Sequence, residues 1–261
     1  MTNKLVLEKK INSYIVEISL NRPEKLNALT KPMWKELGKI FKKLSKDKNL
    51  RCIVIRGKGG KSFSPGNDIS EFETQRSSSK LAKAYGIHLH GTFRAIQECP
   101  IPTIALIEGI CVGGGMEIAS CCDLRICGES SRFGVPIKRL GLTMAAKELE
   151  ALLRITSYSI AMEILLEGKI ISAKEAYEKN LVNRVVADSE VETEVYKSAE
   201  LISEGAPKVA RWHKQFAKEI LKTGKVSDKL NNLGYKCYDT EDFQIGYKSF
   251  LAKTKPKFKN K

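Results

Sequence analysis

Nothing in these 261 residues approaches the apolar run of about 18 that a bilayer-spanning helix needs. The most apolar stretch, Ile101 to Val112, is interrupted by Pro102, Glu108 and Gly109, so no membrane span is expected. From Lys4 through Glu17 charged and apolar residues alternate. The continuous apolar centre of a signal peptide is missing there, and a cytoplasmic location is expected. The seven cysteines include no C-x-x-C pair, and Cys121 and Cys122 are adjacent. An odd number so arranged suggests neither a disulfide framework nor a zinc site, but buried thiols in a reducing compartment. Histidine is scarce, at three. His88 and His90, two apart on a predicted helix, do not share a face and make a poor metal pair; His213, beside Trp212, reads as packing.

Acid is the scarcer charge, with 30 Asp and Glu against 45 Lys and Arg and a net charge of +15. That surplus raises nucleic acid, an anionic membrane or a phosphorylated ligand as partners. Five of the charges are Lys253, Lys255, Lys257, Lys259 and Lys261 in the last nine residues, with no acid among them. Elsewhere the lysines alternate with acids, as over Lys35, Glu36, Lys39, Lys42, Lys43, Lys46 and Asp47. Without interleaved aromatics this is a solvated lysine-rich surface, and nucleic acid is not expected as a partner.

What is present is the ordinary balance of a folded chain, 42% hydrophobic and 29% charged, with length for one large domain or a domain plus an appendage. Short β-type runs cover Leu5 to Glu8, Ile15 to Leu20 and Cys52 to Arg56. Between the last two, Met33, Trp34, Leu37, Ile40, Phe41 and Leu44 form a helical stripe behind an N-cap at Thr30, with Pro32 in the first turn. The alternation continues with a helix over Leu81 to Gln97, a strand over Thr103 to Glu108, a short helix over Met116 to Cys122 and a strand over Leu124 to Cys127. Helices follow near Ala145 to Ile155 and Ser159 to Leu166. Ser172 and Glu175 make a capping box that opens another helix, and Leu181 to Val186 reads as a strand. Beyond Asp188 every segment reads as helix, including one started by Pro207 and others from Ser227 and Glu241. The fold class is α/β, with a core over residues 1–195 and a helical region over 196–261.

The stretch from Ile104 to Ala119 carries the chemistry: a strand, a loop ending in Gly113, Gly114 and Gly115, then a helix with Glu117 in its first turn. Glycines let a ligand approach the backbone, and the first N–H groups of a helix have no partner within it. Such a site stabilises negative charge. If the charge is a developing enolate oxygen, the loop is an oxyanion hole and Glu117 is placed to move protons. A glycine-lined turn with a carboxylate favourably placed at a helix N-terminus accounts for the same residues. No G-K-[ST] follows and G-x-G-x-x-G is absent, so it is not a phosphate loop. Over Ser62 to Glu71, Pro65 and Gly66 make a turn, and Asp68 with Glu71 reads as a capping box.

Taken in order, Leu20-Asn-Arg-Pro-Glu-Lys-Leu-Asn-Ala-Leu29, Phe63-Ser-Pro-Gly-Asn-Asp68, Gly113-Gly-Gly-Met-Glu-Ile-Ala119, Cys122-Asp-Leu-Arg125, Ser131-Arg-Phe-Gly-Val-Pro136 and Leu181-Val-Asn-Arg-Val-Val186 resemble the crotonase, or enoyl-CoA hydratase/isomerase, superfamily over residues 5 to 260. The resemblance implies a spiral of ββα repeats with a C-terminal helical trimerisation region, and a homotrimer or dimer of trimers. It implies acyl-CoA or enoyl-CoA thioesters as substrates, coenzyme A arriving as part of the substrate, and no permanently bound cofactor. Two backbone N–H groups of that family hold the thioester oxygen, and they fall at Gly114 and Pro65. Proline has no N–H, so Gly66 is the expected substitute.

Family hydratases use two glutamates; Glu117 matches the first, and Ile137 stands where the second would be. Glu148 and Glu150 on the next helix are expected at the surface. The resemblance also implies coenzyme A contacts at Lys25, Leu26, Ala28, Ser64, Asn67 and, from a neighbouring subunit, Lys253, with Ile137 and Leu140 in the acyl pocket. The expected activity is that of a lyase or isomerase, with Glu117 as acid/base in hydration or double-bond isomerisation. Thioester hydrolysis, decarboxylation, a catalytically weak CoA-thioester binder and an RNA-binding protein are the alternatives.

Overall fold

Runs of Val, Ile and Leu that are apolar at successive positions, rather than at alternate ones, suit strands covered on both faces. The computed structural model, which describes residues 4–260, uses them that way. β1 (Val6–Lys10) and β2 (Ile15–Leu20) form an antiparallel hairpin, α1 (Lys31–Leu44) crosses over, and β3 (Cys52–Gly57) pairs in parallel with β2. From β3 the chain repeats one unit. β3 leads to β4 (Ser62–Ser64), the short α2 (Phe72–Gln75) and α3 (Ser79–Gln97); β5 (Thr103–Ile107) leads to β6 (Ile110–Val112) and α4 (Gly114–Cys121). The next turn runs β7 (Leu124–Gly128), β8 (Arg132–Gly134), α5 (Ala146–Leu153) and α6 (Tyr158–Glu167), and then β9 (Ile171–Ser172), α7 (Ala173–Glu178) and β10 (Arg184–Val186) follow.

The first strand of each turn joins a six-stranded sheet of order β1-β2-β3-β5-β7-β10, and the second joins a four-stranded sheet of order β4-β6-β8-β9. Neighbours from successive turns pair in parallel, β3 with β5, β5 with β7, β4 with β6 and β6 with β8. This is the expected spiral of ββα turns.

The large sheet is buried on both faces. Ile18, Ile53, Ile55, Ala105 and Ile107 face the cluster that holds Trp34, Leu37 and Phe41 of α1 and Phe93 of α3. Ile15, Cys52, Val54, Ile104, Leu106 and Ile126 face the other way, onto Val191, Val195 and Ala199 of α8 (Val191–Glu204). The division expected between residues 195 and 196 therefore falls inside a helix that covers the sheet. Beyond it, α9 (Pro207–Thr223), α10 (Asp228–Tyr235) and α11 (Glu241–Leu251) bury only Pro207, Leu230 and Asp242.

Two local readings need correction. Thr30 occupies the N-cap of α1, but its side chain makes no cap bond; the N–H of Lys31 goes instead to Glu71 Oε2 at 2.9 Å. Glu71 is thus a cap for a different helix, not the partner of Asp68. Asp68 does cap the 3-10 turn Ile69–Glu71, accepting from the Ser70 N–H at 3.1 Å, but its own N–H, which Glu71 would have to accept in a capping box, donates to Leu29 O at 2.9 Å. The strand expected from Leu181 shortens to Arg184–Val186, because the Leu181 N–H closes the end of α7 on Ala176 O at 2.8 Å. The capping box of Ser172 and Glu175 forms as read.

Candidate active site

β4 and β6 lie side by side, and the loops leaving their C-terminal ends meet. Gly66 follows β4 with φ +101°, where any other residue would be strained, and a Cβ there would sit 2.8 Å from Gly114 N. Gly114 opens α4 after β6. As the first helical residue, it has an N–H with no intrahelical acceptor.

These loops form one wall of a cavity of about 320 Å³. Ala28, Pro65, Gly66, Asn67, Gly114, Glu117, Ile137 and Leu140 all line it, so eight of the residues singled out in the sequence come together. Four others do not line it. Ser64 is fully buried, and its hydroxyl donates to Asn27 O at 2.9 Å and accepts from the Gly66 N–H at 3.1 Å. The Gly66 N–H is therefore engaged inside the loop. Lys25 and Leu26 lie on a 3-10 turn at the surface, Leu26 at φ +52°. Lys253, at φ +55°, follows the end of α11. Lys255 pairs with Glu204 and Lys259 with Glu241, both at the surface.

Glu117 is 6% exposed, and its carboxylate has no hydrogen bond or ion pair among the described residues. Burial pushes its pKa well above the usual carboxylate value, the neighbouring Glu148 carboxylate adds to the rise, and Arg76 opposes it. A carboxyl whose pKa is raised in this way is suited to give a proton as well as take one.

Glu148 is the residue that sequence reasoning placed wrongly. It lies three residues into α5, lines the same cavity and is 13% exposed at its side chain. One oxygen accepts from the Ala145 N–H at 2.9 Å, and the other is 3.0 Å from His90 Nε2. The turn Pro136–Leu140 folds the chain back so that the start of α5 covers α4. Glu150 is exposed and paired with Arg154 at 2.7 Å, as expected of a surface residue. Arg76 was also missed. It lines the cavity, stacks over Phe72 at 4.6 Å and has no carboxylate partner among the described residues. Two more residues hold the loops: Asn27, whose side-chain amide bonds Ser62 O at 2.8 Å, and Arg22, which bonds Ala28 O at 2.6 Å and Asp68.

An N–H at a helix start, a buried carboxyl of raised pKa beside it and a second, hydrogen-bonded carboxyl group across one cavity are what a proton-transferring thioester site requires. The family description for enoyl-CoA hydratase/isomerase matches residues 10–261. The chain belongs to the enoyl-CoA hydratase/isomerase family. It is 34% identical over 247 residues, 94% of its own length and 81% of the relative's, to a protein of Arabidopsis thaliana named probable enoyl-CoA hydratase 2, mitochondrial. A crotonyl-CoA hydratase of Syntrophomonas wolfei is 32% identical over 260 residues, 98% of each chain. Among solved structures, an enoyl-CoA hydratase/carnithine racemase from Magnetospirillum magneticum superimposes with a TM-score of 0.97 at 40% identity, covering 100% of this chain and 97% of that one. No helix of the described residues is long and apolar enough to cross a membrane.

Ionisation of Glu117 also sets how this hydratase/isomerase-family chain responds to pH. Unfolded, the group titrates near 4.5; folded, its pKa is raised. Below both values the two states hold the proton alike. Above 4.5 the unfolded chain ionises freely and the folded one cannot, so stability falls as pH rises until the folded carboxyl has itself ionised. Glu117→Gln removes that loss. Its melting temperature should equal that of the wild type at acid pH and exceed it at neutral pH. Melting curves across pH check this, and an offset independent of pH contradicts it.

Proposed function

We propose that the cavity binds an enoyl-CoA thioester, holds its carbonyl oxygen at the Gly114 N–H, and adds water across the double bond. Glu148 takes a proton from water as the oxygen attacks the β-carbon, the thioester becomes an enolate, and Glu117 returns a proton to the α-carbon. The carrying observation is the buried, unpartnered Glu117, its pKa raised by burial, in the same cavity as Gly114. Glu148 supplies the second carboxylate that Ile137 does not. Neither step needs a resident cofactor. Under this reading Ala28 belongs to the coenzyme A portion, with Lys25 and Leu26 on a surface turn close by in the chain, and Ile137 and Leu140 to the acyl wall.

The test is turnover of crotonyl-CoA and longer enoyl-CoAs with thioester binding measured in parallel. Glu148→Gln is expected to lower hydration by about 10²–10⁴-fold. Isomerisation that moves a double bond through Glu117 alone would survive that change, and its persistence would select isomerase over hydratase. Binding without turnover of either kind would favour a second reading, a CoA-thioester binder, which the missing N–H at Pro65 supports.

Two further assignments belong with this reading. The helical C-terminal region packs against copies of the same chain in a trimer, singly or paired, which the exposure of Leu221 at 68%, Phe250 at 83% and Leu251 at 74% supports. A cytoplasmic setting suits seven free cysteines, six of them buried.

A further inference from the structure

One N–H is a thin hold on an enolate oxygen, and the loop after β4 has lost the donor that would complete it. Pro65 has no N–H to give, and the Gly66 N–H is directed at Ser64 Oγ, 3.1 Å away. The next residue carries a donor of another kind. We infer that the side-chain amide of Asn67 donates to the thioester oxygen and makes, with the Gly114 N–H, a mixed backbone and side-chain oxyanion hole. The inference rests on the reading of the cavity as a thioester site.

Three observations place that amide. First, Trp34 Nε1 lies 2.8 Å from Asn67 Oδ1. An indole nitrogen only donates, so the oxygen of the amide must face the indole and the NH2 group must point away from it. Second, the NH2 group has no acceptor among the described residues, although Asn67 lines the cavity with Gly114 and Glu117. Third, the indole that holds Asn67 also abuts Gly114: a Cβ on Gly114 would sit 3.2 Å from Trp34 Cζ2. Asn67 and Gly114 thus both lie against a single ring.

The backbone around Asn67 is fixed as well. The Leu29 N–H donates to Gly66 O at 2.8 Å, and the Asp68 N–H donates to Leu29 O at 2.9 Å. A donor pinned on both sides needs no rearrangement when charge develops, which is what makes such a group effective.

The probe is acetoacetyl-CoA, a β-ketoacyl thioester whose enolate absorbs in the near ultraviolet, so that enolate formation is read without assuming which reaction the enzyme performs. Bound to the wild-type chain, it should ionise at lower pH than in free solution. Asn67→Ala should reverse most of that shift and lower kcat for an enoyl-CoA by about 10²–10³-fold, the usual effect of removing one such donor, with KM changed by less than about 3-fold. Asn67→Asp keeps an oxygen for Trp34, and so keeps the loop, but presents an acceptor to the enolate; it should form no more enolate than Asn67→Ala. Melting temperatures of both variants report whether the loop is intact, and the aspartate variant decides the matter if the alanine variant unfolds. Enolate formation and kcat within about 3-fold of wild type in the aspartate variant would overturn the role of Asn67 and leave the thioester reading standing. A wild-type chain that binds no acetoacetyl-CoA or enoyl-CoA would overturn both.

Discussion

Glu117→Gln should reduce turnover of an enoyl-CoA by about 10²–10⁴-fold while thioester affinity stays within about 3-fold, since the amide fills the same space but exchanges no proton. The size of the effect follows from the position of the carboxyl. It is buried beside the opening of α4, no side chain among the described residues bonds to it, and desolvation raises its pKa. Steady-state rates with an equilibrium binding measurement separate the two quantities. A mutant that turns over as fast as the parent would remove Glu117 from the chemistry, and one that loses binding in proportion would make it a substrate contact instead.

Trp34→Ala should be the most damaging single change to the fold, costing about 3–5 kcal/mol and lowering the melting temperature by roughly 10 °C. The indole is fully buried and meets Phe93 edge-on at 5.3 Å. It also donates to Asn67 and touches Gly114. Its loss opens a hole in the core directly behind the cavity, so activity should fall further than stability alone explains. Trp34→Phe restores most of the volume without the N–H. It should recover much of the melting temperature but not the activity, and calorimetry alongside kinetics would show whether the two separate.

The repeated strand and helix pattern could be read from the sequence because each segment carries its own period. In the α1 stripe Met33, Trp34, Leu37, Phe41 and Leu44 are buried as their spacing requires and Ile40 is half-buried against the same core, and the glycines before Glu117 mark a turn wherever they occur. Glu148 could not be read that way. It lies on a separate helix, and only the bend at Pro136–Leu140 brings the start of α5 over the cavity; nothing local distinguishes it from Glu150, which stays at the surface. Glu71 shows the opposite error. The spacing Asp68 to Glu71 satisfies a local rule, but Lys31 and Leu29, more than thirty residues earlier, take the Glu71 carboxylate and the Asp68 N–H. Asn27 was legible only through the resemblance, since its role is to tie one loop to the carbonyls of Lys58 and Ser62.

The pairing of β4 with β6 sets how far apart the loops that bear Gly66 and Gly114 stand. Adjacent strands keep a separation of about 4.8 Å whatever their side chains, and the loops bearing Gly66 and Gly114 leave from two such neighbours. That distance is therefore ruled by the pitch of the coil, like the gap between threads of a screw. Cavity walls can be re-cut for longer or bulkier acyl groups without disturbing it, whereas a one-residue slip of either strand would carry Gly66 out of register with Gly114.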